Sequence, residues 1–197
     1  MDRRAPATCV RDGRAWRIGG RAEVSWIQDG TSVTKEIMSA IPPVFDAYAT
    51  VELPRIWREE QGRHDAAVIE LLTRHTVSQP WWIGYLDTGA DDVVFADAPR
   101  TTLYEDWKYV LVEAGPQQAA SWRTSDAGSF WRGALPNLMF PADRSWLVST
   151  LWDHDWTCIG GRVALGEALV HDPELRRRAR QVSPGDDDAT PPGHEAR

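Results

Sequence analysis

Two apolar, β-type stretches, SWLVSTLW (145–152) and WTCIGG (156–161), are separated only by Asp153, His154 and Asp155. A parallel crossover needs a dozen or more residues, so these stretches can meet only as an antiparallel hairpin. The spacing predicts a three-residue connection, with Asp153 to Asp155 as the turn. Further strand-like runs precede it. YATVELP ends at Pro54, PWWIGYLDTG is closed by Thr88-Gly89, and DDVVFAD and WKYVLVEAG follow with a loop from 98 to 106 between them. AEVSWI (22–27) alternates Ala22, Val24 and Trp26, the period of a strand, and ends at the Asp29-Gly30 turn.

Helical patterns interrupt these runs. HDAAVIELLTRHT has Asp65 placed to cap it and Ala67, Val68, Leu71 and Leu72 on one stripe, with Arg74 and His75 in its last turn. PQQAASWR opens on Pro116, which suits the first helical position. RVALGEALV follows Gly160-Gly161, read as a tight strand-to-helix turn, and DPELRRRARQV starts a further helix with Pro173. Strands in runs with helices inserted predict an α+β single domain, a mainly antiparallel sheet with two to four helices. Residues 1–20 and the acidic, Pro-rich residues 184–197 have no periodic apolar face. They are expected to be a disordered N-terminal segment and a disordered tail around a domain spanning 21–183.

The net charge of −7 opposes broad contact with phosphate backbones, so no nucleic-acid partner is expected. No apolar run reaches the roughly 18 residues of a membrane span, and the N-terminus has no apolar signal core. The expectation is a cytoplasmic protein, monomeric or weakly dimeric, with no membrane partner. Cys9 and Cys158 are expected as free thiols. Eleven tryptophans against four Phe and four Tyr are the compositional oddity. They can build a core or supply aromatic anchors for a partner.

The chemistry-bearing residues gather at the hairpin, yet they do not form a familiar catalytic or metal set. Adjacent residues of a tight turn point to different sides, so Asp153, His154 and Asp155 suit a turn better than a zinc or calcium site. Neither a metal nor a cofactor is expected. No nucleophile elbow is present, and Cys158 with His154 lacks a reason to face together. Gly160-Gly161 could present N–H groups to an anion, although a tight turn explains the pair more simply.

The stretches SAIPPVFDAYAT, QPWWIGYLDTGADDVVF, YVLVEAG and LPNLMFPADRSWLVSTLWDHDWTCIGG resemble an actinobacterial family of hypothetical proteins over residues 22–192. That likeness brings no activity, cofactor or catalytic residue with it. The closing hairpin–Gly-Gly–helix module is similar, more loosely, to parts of small bacterial immunity-type proteins. The expected function is therefore non-enzymatic protein binding, with a basic, toxin-like partner meeting an acidic, aromatic face. The alternative is a small-molecule binder or hydrolase built from Asp87, Asp153 and Asp155 beside Trp82, Trp152 and Trp156. Carboxylates clustered in a deep pocket would favour the alternative; a flat acidic-aromatic face would favour the partner. Asp87, Asp91, Asp92 and Asp97, beside the Trp81-Trp82 strand, are the expected acidic surface.

Overall fold

The computed structural model describes residues 7–54, 58–89, 93–123, 135–152 and 154–194. The fold is α+β, with five helices and ten strands among these residues, one helix more than expected. In chain order they are β1 (Thr8–Arg11), β2 (Arg14–Arg17), α1 (Arg21–Gln28), α2 (Glu36–Ala40), β3 (Ala47–Glu52), α3 (Arg58–Arg74), β4 (Trp81–Leu86) and β5 (Thr101–Leu103). The remainder are β6 (Trp107–Ala114), α4 (Pro116–Ser121), β7 (Leu138–Pro141), β8 (Leu147–Ser149), β9 (Trp156–Gly161), α5 (Val163–His171) and β10 (Ala179–Val182).

Strands β3 to β10 form one eight-stranded sheet in the order β10-β3-β9-β8-β7-β4-β6-β5, antiparallel at every pairing. Alternation along each strand feeds two cores. Trp81, Ile83 and Tyr85 of β4 join Val110 and Val112 of β6 on one face, together with Leu71 and Leu72 of α3 and Leu165 of α5. Trp82, Leu86, Tyr109 and Leu111 point to the other face, against Val24 and Ile27 of α1 and Ile37 of α2. Both faces are therefore covered, which explains why the central strands are apolar throughout and do not alternate with polar residues.

The hairpin forms as expected, with Leu147 opposite Gly160 and Ser149 opposite Cys158. Its connection is longer than three residues, running from 150 to 155, and Asp153 lies outside the described residues. Several local expectations need correction. AEVSWI is the helix α1, because Val24 and Ile27 share a buried face three residues apart. The Glu23 carboxylate also accepts the Gly20 N–H at 2.8 Å, closing the first turn. Helix α3 begins at Arg58, so Asp65 is not its cap; it sits mid-helix and accepts from Gln61 Nε2 at 2.7 Å. DDVVFAD contains no strand within its described residues, and the edge strand is β5, inside the expected loop. DPELRRRARQV turns and then becomes β10, whose Ala179 and Val182 are buried. Gly160 and Gly161 lie within β9 and not in a turn. A Cβ on Gly160 would stand 2.6 Å from Ile41 Cγ2, and one on Gly161 2.8 Å from Leu165 Cδ2, so both glycines serve close packing.

Both expected disordered segments contain ordered structure. Strands β1 and β2 form a hairpin whose Trp16 is buried, 5% exposed, with its ring edge-on to Trp122 at 4.7 Å. Ile18 bridges Val112 of β6. At the other end, residues 184–194 lie along the sheet face that holds α1 and α2. Ala189 is fully buried there, its N–H donating to Glu36 Oε2 at 2.7 Å and its carbonyl accepting from Thr50 Oγ1 at 2.7 Å. A few buried residues, Trp16 and Ile18 at one end and Ala189 and Pro191 at the other, anchor these segments without any periodic pattern.

Candidate functional site

An open cleft of about 440 Å³ lies at one end of the α1/α2 side of the sheet. Four pieces of chain form its walls. Gln28 ends α1 and Thr31, Ser32 and Val33 follow it, Ser39 comes from α2, Tyr104 and Glu105 form the β5–β6 turn with Trp107 and Tyr109 beyond, and Leu151, Trp152 and His154 come from the β8–β9 connection. Trp107 and Trp152 stack at the rim, with centroids 5.7 Å apart and planes 20° from parallel. They are 40% and 38% exposed, whereas the other described tryptophans are less accessible and mostly buried.

The β5–β6 turn is unusual. Tyr104, Glu105 and Asp106 have φ of 49°, 52° and 77°, three consecutive side-chain-bearing residues in the left-handed region. Each costs on the order of 1 kcal/mol relative to glycine, so neighbouring contacts must hold the turn. They do so in two places. The Tyr104 N–H donates to Gln28 Oε1 at 2.9 Å, and its hydroxyl lies 2.8 Å from the Ala40 carbonyl and 2.9 Å from Ser149 Oγ. Burial pushes the Tyr104 phenol well above its ordinary range, so it remains neutral. The result is a fixed turn carrying exposed Glu105 and Asp106 next to the tryptophan pair. Strained backbone held by its surroundings is a recurrent feature of ligand sites.

The residues expected from sequence are dispersed. Trp152 lines the cleft. Trp156 stands behind it, buried, stacked on the His154 ring at 4.3 Å and meeting the His194 ring edge-on at 4.8 Å. Asp155 Oδ1 is 2.9 Å from His194 Nδ1, tying the C-terminal segment to the hairpin. Asp87 does not enter the cleft. It pairs with Arg100 Nε at 2.9 Å, and that bond, with the Gly89 N–H, holds its carboxyl below the ordinary range. Trp82 is only 6% exposed and lies beneath the Arg17 guanidinium, 4.9 Å from its ring centroid. Strand β4 is central in the sheet, so the Trp81-Trp82 strand cannot offer the expected aromatic surface; Asp91 and Asp92 lie outside the described residues, and Asp97 is exposed.

Asp87 and Asp155 do not line the cleft, and no described group of three His, Cys, Asp or Glu side chains could hold a metal ion. Cys9 and Cys158 are free thiols. Burial pushes Cys158 up to about 12, so it stays protonated and is no thiolate nucleophile. Sequence reasoning missed Trp107, Glu105 and Gln28. The exposed Trp107 at the start of β6 left no distinguishing mark, because its meeting with Trp152 depends on where α4, β7 and β8 carry the chain between them. Among the described residues, no helix is long and apolar enough to cross a membrane. No protein-family model matches the chain, and comparison with curated proteins and with solved structures found no match.

Proposed function

We propose that this protein is a binding protein that captures a cationic side chain, Lys or Arg, of a basic protein partner in the Trp107–Trp152 cleft. The observation that carries the reading is the stacked, half-exposed tryptophan pair set beside Glu105 and Asp106 on a rigid turn. An ammonium or guanidinium over an indole face gains about 0.5–1 kcal/mol at an exposed site and about 2 when desolvated. A carboxylate at the rim adds a charge-assisted hydrogen bond. The overall charge of −7 favours approach of a basic partner. A second reading, a small-molecule binder, draws on the cleft volume, which falls within the roughly 300–1,000 Å³ of ligand pockets.

Titration with an arginine-rich dodecapeptide, followed by intrinsic tryptophan fluorescence, tests the proposal. Binding should weaken at least 10-fold in Trp152→Ala and several-fold in Glu105→Gln, with a net-neutral peptide inert. Binding undiminished by Trp152→Ala, or none at all, overturns it.

A further inference from the structure

The lining of the tryptophan cleft is richer in rings than capture of an ordinary side-chain cation requires. Four aromatic residues contribute to it, Tyr104, Trp107, Tyr109 and Trp152, with Val33 and Leu151 beside them. The two tryptophans are half-exposed and stacked, whereas Tyr104 and Tyr109 are almost fully buried, their rings 6.2 Å apart with planes at 68°. Glu105 is the one carboxylate of the described lining, and no described lysine or arginine enters it. The site therefore combines aromatic faces with a single negative charge.

Most other polar groups there are already engaged by the protein. The Thr31 and Ser39 hydroxyls donate to the Ile27 and Glu36 carbonyls at 3.0 and 2.7 Å, and Ser32 Oγ bonds Thr34 Oγ1 at 2.9 Å. Gln28 Oε1 accepts the Tyr104 N–H, and the Tyr104 hydroxyl donates to the Ala40 carbonyl. A lysine ammonium brings three N–H donors and holds its water tightly, so burying it calls for several acceptors. Here Glu105 is the main one. Trimethylation keeps the positive charge, removes all three donors and adds apolar surface. Ring faces attract such a cation through their quadrupole, with no directional hydrogen bond, which is how aromatic cages recognise quaternary ammonium groups.

We infer that the cleft selects a trimethylammonium group over a bare ammonium, carried either by a trimethylated lysine or by a small molecule of the choline type. The inference rests on the reading of the cleft as a cation-capturing site and narrows its ligand class. Trp107 is the specificity-determining residue, because its exposed indole supplies the ring face. Glu105 supplies charge to methylated and unmethylated ligands alike.

Tryptophan-fluorescence titration of the full chain at fixed ionic strength provides the test, using choline chloride and two short peptides identical except for trimethylation of one lysine. The trimethylated peptide should bind at least about 5-fold more tightly than its unmodified twin, the scale of one exposed cation–π contact. Trp107→Ala should abolish that preference, and Trp107→Phe should keep part of it. Glu105→Gln should weaken both peptides by a similar factor. Choline binding at least as tightly as the trimethylated peptide assigns a free small molecule as the source of the group, and weaker binding assigns the lysine side chain. Equal affinity for the two peptides overturns the selection, as does a preference undiminished in Trp107→Ala. In either case the capture reading stands if the arginine-rich peptide still binds, and falls with the selection if it does not. Should Trp107→Ala fail to fold, the wild-type Trp107 indole N–H signal by NMR decides, movement on adding the trimethylated peptide supporting the site and no movement refuting it.

Discussion

Burial, reinforced by the Arg178 guanidinium, lowers the His64 pKa to about 3, against 6.5 for an unperturbed imidazole. Between those values the unfolded chain binds a proton that the native chain excludes. Stability contributed by this residue is therefore fully present above about pH 6.5 and is lost as pH falls toward 3, at up to about 1.4 kcal/mol per pH unit. Urea midpoints at pH 7, 5 and 4 should fall more shallowly in His64→Leu than in the wild type. Parallel curves would show that His64 is not the titrating group. A second residue-scale prediction concerns Gly160, whose missing side chain accommodates Ile41 and Phe45. Gly160→Ala should cost about 1–3 kcal/mol through overpacking, read as a lower denaturation midpoint at unchanged slope.

Among the elements, the β1–β2 hairpin packs as part of the core and not as an appendage. Trp16 and Ile18 enter the larger apolar cluster, and the Ile18 N–H donates to the Ala7 carbonyl at 2.7 Å while the Gly19 N–H donates to Leu111 at 2.8 Å. Trp16→Ala should cost about 3–5 kcal/mol, and removing residues 1–18 should lower Tm by more than 10 °C, roughly what that loss implies for a chain of this length. Calorimetry of both variants checks this; an unchanged Tm would mean the hairpin is only laid on the surface. The β5–β6 turn makes a contrasting prediction. Glu105→Gly relieves a left-handed residue and should stabilise the fold by about 1 kcal/mol while weakening capture of the arginine-rich peptide. Chemical denaturation and the peptide titration separate the two effects.

For the whole molecule, 29 acidic against 22 basic residues produce a field that reaches beyond any one contact. A basic partner should associate faster at low salt, with its on-rate falling as salt shortens the screening length from about 10 Å at 0.1 M to about 3 Å at 1 M. Stopped-flow fluorescence with the same peptide should show the on-rate dropping at least 10-fold between 0.05 and 0.5 M salt, roughly the range electrostatic steering spans. A salt-independent on-rate would remove steering from the mechanism. Surface pairs such as Arg63–Glu59 and Arg74–Glu70 are exposed and contribute little to stability under either condition.

Strand character was legible wherever β-branched and aromatic residues ran together between turn residues. YATVELP, PWWIGYL, WKYVLVEA and WTCIGG hold as β3, β4, β6 and β9, because propensity, burial and punctuation there agree. The hairpin around 150–155 was legible for the same reason, since chain length alone forbids any other pairing of its strands. Short windows failed where two periods fit six residues: AEVSWI satisfies a strand, but Val24 and Ile27 share a buried helical face against the sheet. Sequence also named Trp152, which lines the cleft, as a candidate binding residue. It could not show that Trp82 is buried or that Trp107 stacks on Trp152, because both depend on the order in which strands are shuffled into the sheet. Local propensity and spacing act over a few residues and are written along the chain. The cleft is a product of contacts between residues tens of positions apart, and only tertiary packing decides it.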